Sequence, residues 1–570
     1  MTWPPGPQQQ PSQPQPQPPQ PQGEFGAPFE PMEPMRPAPP AQPVQGYGQQ
    51  FPPPPPVQPQ AGPYGYGYGA QPPYPAGPGG PAGRKPSGRR RTTLVAAVIA
   101  GVLVVGGGVW FATSDGHGSG KPVAHGSSDG ERLTALPPVR PTDDAEVVDT
   151  AAPVDKVNAA RKPGEAKVLW MRDNGVDVPP NGVDVYGPWL TGDIVAKGMY
   201  RTVSGYSVAD GARKWTLELP ADLCAAPTLP TGDGKVVVAL MGGTSSDADC
   251  SVLQMIDLTT GRAGWKKTVE RKGTEDLLSD VAMGISGDLA TFGRSGNSVG
   301  YRVSDGKEVF GKREGVCQPF AFTSGPRMIA ATSCRTDADD EDKQQVEEID
   351  PATGKSKWTY RVKTGWRVAQ VYSANPLVIS LKKGVGEGGA WAIVTLREDG
   401  TYRSQMVGGK NEDYAVTCDV DIVVSGRNLD GCAGAAADDG TFYLATKPVT
   451  VGSSLTNKVV AFDLDSGKAK WRAAAPAGQV MQPLRMDGRN VIVRVDGTYR
   501  KGGGIATLGP EGGAPKMLLR HPTSAAEAES SFSMARAVYA GGRSILVSAT
   551  VSAINDKEEK KVKTVMVFGP

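Results

Sequence analysis

The clearest pattern along the chain is an apolar strand that runs into a polar turn and then into a large aromatic residue. In one copy the strand Val459-Val-Ala-Phe-Asp463 reaches a turn that ends at Gly467, and Trp471 follows in a polar strand. The pattern recurs at intervals of roughly 45 to 50 residues, and its five copies end at Trp215, Trp265, Phe310, Trp358 and Trp471. Self-similarity at this period predicts a repeat architecture, and at this chain length a β-propeller.

Each copy of the turn carries a glycine at the same place. Such a turn requires a positive φ, which glycine adopts without steric cost. The five glycines are Gly211, Gly261, Gly306, Gly354 and Gly467. We interpret the aromatic residue that follows as a wedge between adjacent blades, since each blade must bury both of its faces.

Degenerate copies of the pattern fill the gaps and set the blade count. Residues 392–402 and 505–518 repeat it, with Tyr402 and Leu518 in the place of the tryptophan. A last β unit runs over residues 537–568. Trp170 lies in a strand that has no blade before it, so we expect this strand to complete the last blade and close the ring. The sequence therefore predicts an all-β fold, an eight-bladed propeller, with seven blades as the alternative.

The N-terminal part of the chain lacks this pattern. Its first residues are rich in Pro, Gln, Gly and Tyr, a composition that cannot bury enough apolar surface to fold. Residues 92–111 contain no charge, a length that lets an α-helix cross a bilayer. We predict a disordered cytoplasmic tail over 1–91, a transmembrane helix over 92–112, a flexible extracytoplasmic linker over 113–165 and the propeller over 166–570.

The charges that flank the apolar run predict its orientation. A basic cluster that includes Arg89, Arg90 and Arg91 precedes the run, and Asp115 follows it. Because positive charge stays on the cytoplasmic side, the N-terminus is expected inside and the propeller outside the cell membrane. The chain would then be a single-pass membrane protein. The alternative is a signal peptide behind an unusually long leader.

All six cysteines lie in the part predicted to be exported. An even number in an oxidising compartment indicates disulfides, and six cysteines allow about fifteen connectivities. We favour sequential pairing, because each pair then falls within one repeat interval. The absence of Cys-x-x-Cys spacing argues against zinc and thioredoxin chemistry. The residues are Cys224, Cys250, Cys317, Cys334, Cys418 and Cys432.

Candidate catalytic and metal-binding residues are few. The chain has 3 histidines, and only His521 falls in the predicted propeller, where its Gly/Pro-rich surroundings predict an exposed loop. Residues 353–356 resemble the end of a phosphate-binding loop, but they lack its first glycine and a following helix. Residues 337–348 resemble a calcium loop, but Asp342 stands where glycine is required, so we expect a solvated acidic loop. We predict no catalytic, cofactor-binding or metal-binding residue.

The repeat Ala-x-Asp-x-x-Thr-Gly-Lys-x-x-Trp resembles that of the PQQ-like propellers. Residues 460–471 and 349–358 match it best, and the resemblance covers residues 166–570. The family includes the quinoprotein alcohol dehydrogenases and the lipoprotein propeller of the outer-membrane β-barrel assembly machinery. For the dehydrogenases the resemblance implies a quinone held between a tryptophan and a disulfide of adjacent cysteines, with Ca²⁺ and an aspartate base. The chain has no Cys-Cys dipeptide, so no cofactor is predicted.

These observations predict a binding module of a bacterial envelope. We expect a non-catalytic scaffold whose propeller binds an envelope protein or a cell-wall component, and whose Pro-rich tail offers a site to a cytoplasmic partner. The net charge of +2 gives no reason to expect nucleic-acid binding. One alternative is a PQQ-dependent dehydrogenase-like enzyme. The other is a transmembrane sensor that couples ligand binding outside to the tail inside.

Overall fold

The computed structural model describes most of the predicted propeller. The predicted tail, the predicted membrane helix and most of the linker lie outside the described residues, as does part of the acidic loop. Within the described part of the chain, no helix is long and apolar enough to cross a membrane. The described residues are 151–570, apart from 246–247, 274–275, 277, 280, 295, 337–340, 342, 384–389, 410–411, 415, 417, 419–427 and 533–534.

The described residues form eight four-stranded antiparallel blades of a β-propeller, each numbered here from the strand nearest the axis. In blade 1 these strands are β2 (Val183–Thr191), β3 (Ile194–Met199), β4 (Thr202–Ser207) and β5 (Arg213–Glu218). In blade 2 they are β6 (Leu223–Ala225), β7 (Lys235–Met241), β8 (Cys250–Asp257) and β9 (Arg262–Thr268). In blade 3 they are β10 (Ala282–Ser286), β11 (Leu289–Arg294), β12 (Asn297–Arg302) and β13 (Glu308–Phe310). In blade 4 they are β14 (Gln318–Phe322), β15 (Met328–Ser333), β16 (Gln344–Ile349) and β17 (Ser356–Arg361).

The second half of the ring repeats this order with two interruptions. Blade 5 contains β18 (Trp366–Ala374), β19 (Leu377–Lys383), β20 (Ala390–Leu396) and β21 (Tyr402–Gln405). Blade 6 contains β22 (Ala435–Asp438), β23 (Thr441–Ala445), β26 (Lys458–Asp463) and β27 (Ala469–Ala474). Blade 7 contains β28 (Met481–Asp487), β29 (Asn490–Val495), β30 (Gly504–Gly509) and β31 (Gly512–Arg520). Blade 8 contains β32 (Arg536–Ala540), β33 (Arg543–Val547), β35 (Lys563–Gly569) and β1 (Lys167–Asp173).

A few elements lie outside this four-strand pattern. Two short strands pair with each other between β23 and β26: β24 (Val449–Val451) and β25 (Ser454–Thr456). Strand β34 (Thr550–Val551) adds to the inner edge of blade 1. The helices are α1 (Ala151–Ala159), a 3-10 turn (Thr523–Ala525), α2 (Ala526–Ser530) and α3 (Asp556–Glu559).

The two ends of the propeller sequence close the ring. Strand β1 pairs antiparallel with β35, from Lys167 opposite Gly569 to Asp173 opposite Lys563. An ion pair between Lys563 and Asp173 joins the same two strands. The early strand thus completes blade 8 and removes an open sheet edge. The prediction of eight blades is confirmed, and the seven-bladed alternative is wrong.

Burial decreases from the middle of each blade to its outer strand. In β7 the residues Val236–Leu240 have no exposed surface, because both faces of this strand pack against neighbouring blades. In the outermost strand of the same blade, β9, most residues are exposed. This gradient explains why the inner strands read as continuous apolar runs and the outer strands as polar ones.

The repeat aromatics pack against the turn glycines of the next blade. A Cβ atom built on Gly211 would lie 2.5 Å from the ring of Trp170, so only glycine allows the ring of one blade to cover the turn of the next. The Trp170 Nε1–H also donates to the Val208 carbonyl at 3.1 Å. The same packing occurs at six blade junctions: Trp170 on Gly211, Trp215 on Gly261, Trp265 on Gly306, Phe310 on Gly354, Trp358 on Gly400 and Trp471 on Gly512.

The two degenerate repeats differ from the sequence-based alignment. In blade 5, Ser404 rather than Tyr402 pairs opposite Thr395, the register that Trp358 takes opposite Glu348 in blade 4. In blade 7 the residue at this register is Met517, and Leu518 is 43% exposed. Ser404 follows Gly400 by the same four positions that separate Gly354 from Trp358, so in blade 5 the spacing from the turn glycine marks the register that the search for an aromatic residue missed.

Candidate functional site

The most unusual connection in the ring is the one between blades 5 and 6. Residues 406–434 join β21 to β22, whereas the other outer-to-inner connections are shorter. The structure pairs the six cysteines sequentially, and one disulfide, Cys418–Cys432, lies in this connection. The other two are Cys224–Cys250 and Cys317–Cys334. We call Asn428–Asp430, just before Cys432, the axial segment.

The axial segment bonds to the innermost strands of other blades. The Asn428 side chain accepts from the Met283 N–H at 2.7 Å and donates to the Ala226 carbonyl at 2.8 Å. The Leu429 carbonyl accepts from the Val371 N–H at 2.7 Å. Met283 lies in the first strand of blade 3 and Val371 in that of blade 5, and Ala226 directly follows the first strand of blade 2. Because the first strands line the axis of a propeller, the segment lies in the axial channel.

Asp430 attaches the segment to two further points. Its Oδ2 accepts from the Thr228 hydroxyl at 2.8 Å and from the Ser324 N–H at 2.6 Å. Thr228 follows the first strand of blade 2 and Ser324 follows that of blade 4. The chain therefore fills its own axial channel on the side of blades 2 to 5, with side chains and carbonyls that satisfy otherwise unpaired strand edges.

A cavity of about 330 Å³ remains on the opposite side of the axis. It is bordered by Cys418, Gly431 and Ala433 of the connection and by residues of blades 7 and 8. Its polar lining includes Gln482, Arg494 and Arg536. Its volume falls at the lower end of the range for small-molecule pockets.

A charged pair borders this cavity. The Arg494 Nε lies 2.9 Å from the Asp496 Oδ1, and the Arg494 Nη1 donates to the Ala535 carbonyl at 2.7 Å. Burial and the negative charge of the nearby Glu529 raise the pKa of Asp496, and the positive charge of Arg494 lowers it. The pKa of Asp496 therefore lies above its usual value. A carboxyl group in this environment holds a proton more readily than an exposed one.

His521 corrects one expectation from sequence. Instead of lying in an exposed loop, it is only 3% exposed, and its ring stacks on Phe568 with centroids 3.7 Å apart. The His521 Nδ1 lies 2.8 Å from the Glu529 Oε1, and the other Glu529 oxygen accepts from the Gly503 N–H at 2.9 Å. Burial by itself raises the pKa of Glu529. The interaction with His521 and the hydrogen bond from the Gly503 N–H together lower this pKa by more, so it lies below its usual value.

Contacts with helix α2 and with the backbone near Gly503 explain this correction. Helix α2 carries Glu529 toward His521, and a Cβ on Gly503 would lie 2.5 Å from the Val495 carbonyl, so the backbone closes tightly around the pair. The Gly-rich stretch near 502–504 predicts a loop from sequence, whereas its role is close packing. His521 is thus part of the interior, and it lines a cavity of about 400 Å³ together with Gln479 and Gly503.

One group of carboxylates was missed by the sequence analysis. Oxygens of Asp177, Asp556 and Glu559 lie within 4.8 Å of one another. The Glu559 Oε1 accepts a hydrogen bond from the Val178 N–H at 2.5 Å, so this carboxylate holds the backbone at Val178 in place. Asp556 and Glu559 lie in helix α3, and Asp177, which is far from them in sequence, meets them through the closure of the ring.

The residues around the axis do not fit the quinone that the dehydrogenase resemblance implies. Among the described residues, no tryptophan lines the axial cavity. The disulfide at its border joins cysteines with a sequence separation of 14, not adjacent ones. Asn428–Asp430 occupies the other side of the axis. A flat cofactor held between an indole and an adjacent-cysteine disulfide has no counterpart among the described residues.

The comparisons with known proteins agree with this fold. Residues 157–313 match the family model described as outer membrane protein assembly factor BamB, which confirms the resemblance to the PQQ-like propellers. A comparison of the sequence with curated proteins gives no match.

Similar solved structures include propellers of two kinds. BamB from Moraxella catarrhalis is 14% identical, with 69% of this chain and 98% of that chain covered and a TM-score of 0.35. The quinohemoprotein alcohol dehydrogenase from Comamonas testosteroni is 14% identical, with coverages of 73% and 78% and a TM-score of 0.40. A europium-containing methanol dehydrogenase is 10% identical, with coverages of 70% and 93% and a TM-score of 0.37. Likenesses at this level carry no argument about function.

Proposed function

We propose that this chain is a non-catalytic binding module of a bacterial envelope. In this proposal the helix over residues 92–112 anchors it in the cell membrane, and the extracytoplasmic propeller binds an envelope protein. The uncharged run of 92–111 and the basic residues before it support the anchor and its orientation. The three disulfides support an oxidising compartment.

The observation that carries the proposal is the self-filled axis. Asn428, Leu429 and Asp430 bond to blades 2, 3, 4 and 5, so the chain itself occupies that side of the axial channel and leaves only a cavity of about 330 Å³ beside blades 7 and 8. The single histidine of the propeller is buried between Glu529 and Phe568, and its Nδ1 is already engaged by the Glu529 carboxylate. Recognition then falls to the exposed faces of the ring, which suits a protein partner.

The first test maps where a partner touches the propeller. A photocrosslinking amino acid is placed in the full chain at one of three exposed positions, Ser453, Val316 or Ile554, and cells are irradiated intact. We expect the same envelope protein to crosslink from one or two of these positions and not from the others. The absence of a crosslink from all three would contradict the proposal.

The second test addresses the enzyme alternative. The full chain is incubated with pyrroloquinoline quinone and Ca²⁺, and dye reduction is followed with primary alcohols and aldose sugars. We expect the same rate as without the quinone. Dye reduction that requires both quinone and Ca²⁺ would overturn the assignment as a non-catalytic module.

A further inference from the structure

An exposed hairpin projects from blade 6. Strands β24 and β25 belong to no blade and pair only with each other. Their aliphatic side chains are exposed rather than packed: Val449 is 56%, Val451 64% and Leu455 53% exposed. Gly452 opens the turn with a φ of 62°, which suits a two-residue hairpin turn. Apolar residues grouped on one projecting element mark an interaction site more often than a scattered set does.

The hairpin lies beside a turn of blade 7. A Cβ atom on Gly478 would lie 3.2 Å from the Ser454 Oγ and 3.8 Å from the Lys501 Nζ. Ser454 of the hairpin and Lys501 of the 498–501 turn therefore both lie next to Gly478. The Lys501 Nζ donates to the Ala477 carbonyl at 2.9 Å. Tyr499 in that turn is 70% exposed. We call β24, β25 and Tyr499 the hairpin surface.

The backbone of the hairpin has unpaired edges. Val451 lies opposite Ser454, and Thr450 lies opposite Leu455. In a two-residue hairpin the residues that flank the turn bond to each other, and the N–H and C=O groups of the next pair point outward. Thr450 and Leu455 thus present unpaired backbone groups on the two edges. Such an edge is a template for another strand.

The border of the hairpin surface is basic. Four exposed cations surround it: Lys447, Lys458, Arg500 and Lys501. None of them pairs with a carboxylate of a described residue. Asp413 bonds to this border through its backbone, since its carbonyl accepts from the Lys447 N–H at 2.8 Å. A partner that carries carboxylates among its apolar residues would match both the charge and the exposed aliphatic groups.

We propose that the hairpin surface docks an extended acidic and apolar segment of a partner protein, which adds as a strand to the edge of β24 or β25. This inference rests on the proposed function and names the surface through which it operates. Backbone pairing would provide the alignment, Val449, Val451 and Tyr499 the apolar contact, and the four cations the preference for acidic side chains.

The test uses a synthetic peptide of defined chemistry. The probe is a fluorescent peptide of alternating Glu and Val, and binding to the full chain is followed by fluorescence anisotropy. One control peptide has Lys in place of Glu, and another has N-methyl groups on its valines, which remove the strand-pairing donors. We expect the acidic peptide to bind and both controls to bind at least tenfold more weakly.

Variants of the chain locate the site. The double change Val449→Ser and Val451→Ser is expected to weaken the acidic peptide at least tenfold, and Lys501→Glu to weaken it severalfold. The matched control changes two exposed apolar residues elsewhere, Leu229→Ser and Val316→Ser, and is expected to leave binding unchanged. Equal thermal unfolding of all variants ensures that folding is not the cause.

Several results would overturn the inference. They are the absence of acidic-peptide binding, equal binding of the N-methylated peptide, and equal loss in the Leu229→Ser, Val316→Ser control. Anionic phosphatidylglycerol vesicles serve as a further probe. Vesicle binding that depends on Val449 and Val451, without peptide binding, would make this a membrane-contact surface instead.

The crosslinking experiment separates this inference from the proposed function. The Val449→Ser and Val451→Ser changes are combined with the crosslinker at Ser453. If a partner crosslinks from Val316 or Ile554 but not from Ser453 in the unmodified chain, or crosslinks from Ser453 equally with and without the two valine changes, only the hairpin assignment fails. If no position crosslinks even in the unmodified chain, the proposed function fails first.

Discussion

The junction between blades 5 and 6 differs from the regular junctions of the ring. At a regular junction an aromatic ring covers a turn glycine, as Trp265 covers Gly306. At three of these junctions the indole Nε1–H also donates to a carbonyl of the next blade, as that of Trp265 does to Val303 at 2.8 Å. At the exceptional junction Ser404 stands at the aromatic register. Its hydroxyl donates to the Leu464 carbonyl at 2.6 Å, and Gly467 packs directly against the backbone of Gln405.

The exceptional junction thus keeps a hydrogen bond to a carbonyl of the next blade but lacks the aromatic ring that fills the gap between blades elsewhere. Val303 and Leu464 hold equivalent places, three residues before the turn glycines Gly306 and Gly467. The serine keeps the bond to the next blade but gives up the apolar volume of an indole. The same junction begins the long connection whose axial segment bonds to four other blades. We infer that contacts across the axis replace the stability that an aromatic wedge provides elsewhere.

The largest effect is expected from breaking the wedge that closes the ring. Trp170 is 5% exposed, so Trp170→Ala should cost about 3–5 kcal/mol of unfolding free energy through lost burial and a cavity. The measurement is the urea midpoint of the full chain. Tyr402→Ala in the junction without a wedge is the comparison, and an equal loss there would contradict a special role for the aromatic register.

A smaller loss is expected from detaching the axial segment. Asp430→Ala leaves the Ser324 N–H and the Thr228 hydroxyl without their acceptor, at a cost of about 1.5–3 kcal/mol. Asp413→Ala, an exposed change in the same connection, serves as the control and should cost less than about 0.5 kcal/mol. The measurement is thermal unfolding of both variants. Equal midpoints for the two would show that the segment does not support the ring.

Placing an aromatic residue at the exceptional junction should lower the free energy of unfolding. Ser404 is buried, and its backbone neighbour Gln405 packs on Gly467 without space for a ring. Ser404→Trp should therefore cost about 1–3 kcal/mol by overpacking. Ser404→Ala tests the hydroxyl alone and should cost about 1 kcal/mol. A stabilised Ser404→Trp variant would mean that the junction is an unfilled copy of the regular one.

The smallest effect is a dependence on pH at the base of the long connection. The Arg472 hydrogen bonds lower the pKa of Glu412 to about 2, with a further bond from the Tyr414 hydroxyl. Because the folded pKa lies below the unfolded one, the stabilisation is present above about pH 4.5 and disappears as the pH falls toward 2. Allowing for solvent screening, we expect a loss of about 1–2 kcal/mol between pH 6 and pH 3.

The control for this pH effect is Glu412→Gln. Its urea midpoint should vary less between pH 6 and pH 3 than that of the unmodified chain, because the titrating group is gone. An undiminished pH dependence would assign the acid sensitivity to other carboxylates of the ring.

The repeats in the sequence predict the blades and their aromatic contacts. The residues around the axis cannot be predicted in this way, because their contacts join distant parts of the chain. The turn glycines and Trp170 follow from spacing alone, because each repeat folds against its neighbour in the same way. The bond between Thr228 and Asp430 spans 202 positions, and no pattern near either residue indicates it. The burial of His521 depends likewise on Phe568, which packs on it from the following blade, and on Glu529 in the connection to that blade.

The most direct test of the self-filled axis is amide hydrogen exchange at Met283 and Val371. Both N–H groups lie on innermost strands and donate to Asn428 and Leu429. We predict slow exchange of both in the full chain and faster exchange in Asp430→Ala, with little change in the middle strands of the blades. Exchange of both amides at the rate of exposed loops in the unmodified chain would contradict the filled channel.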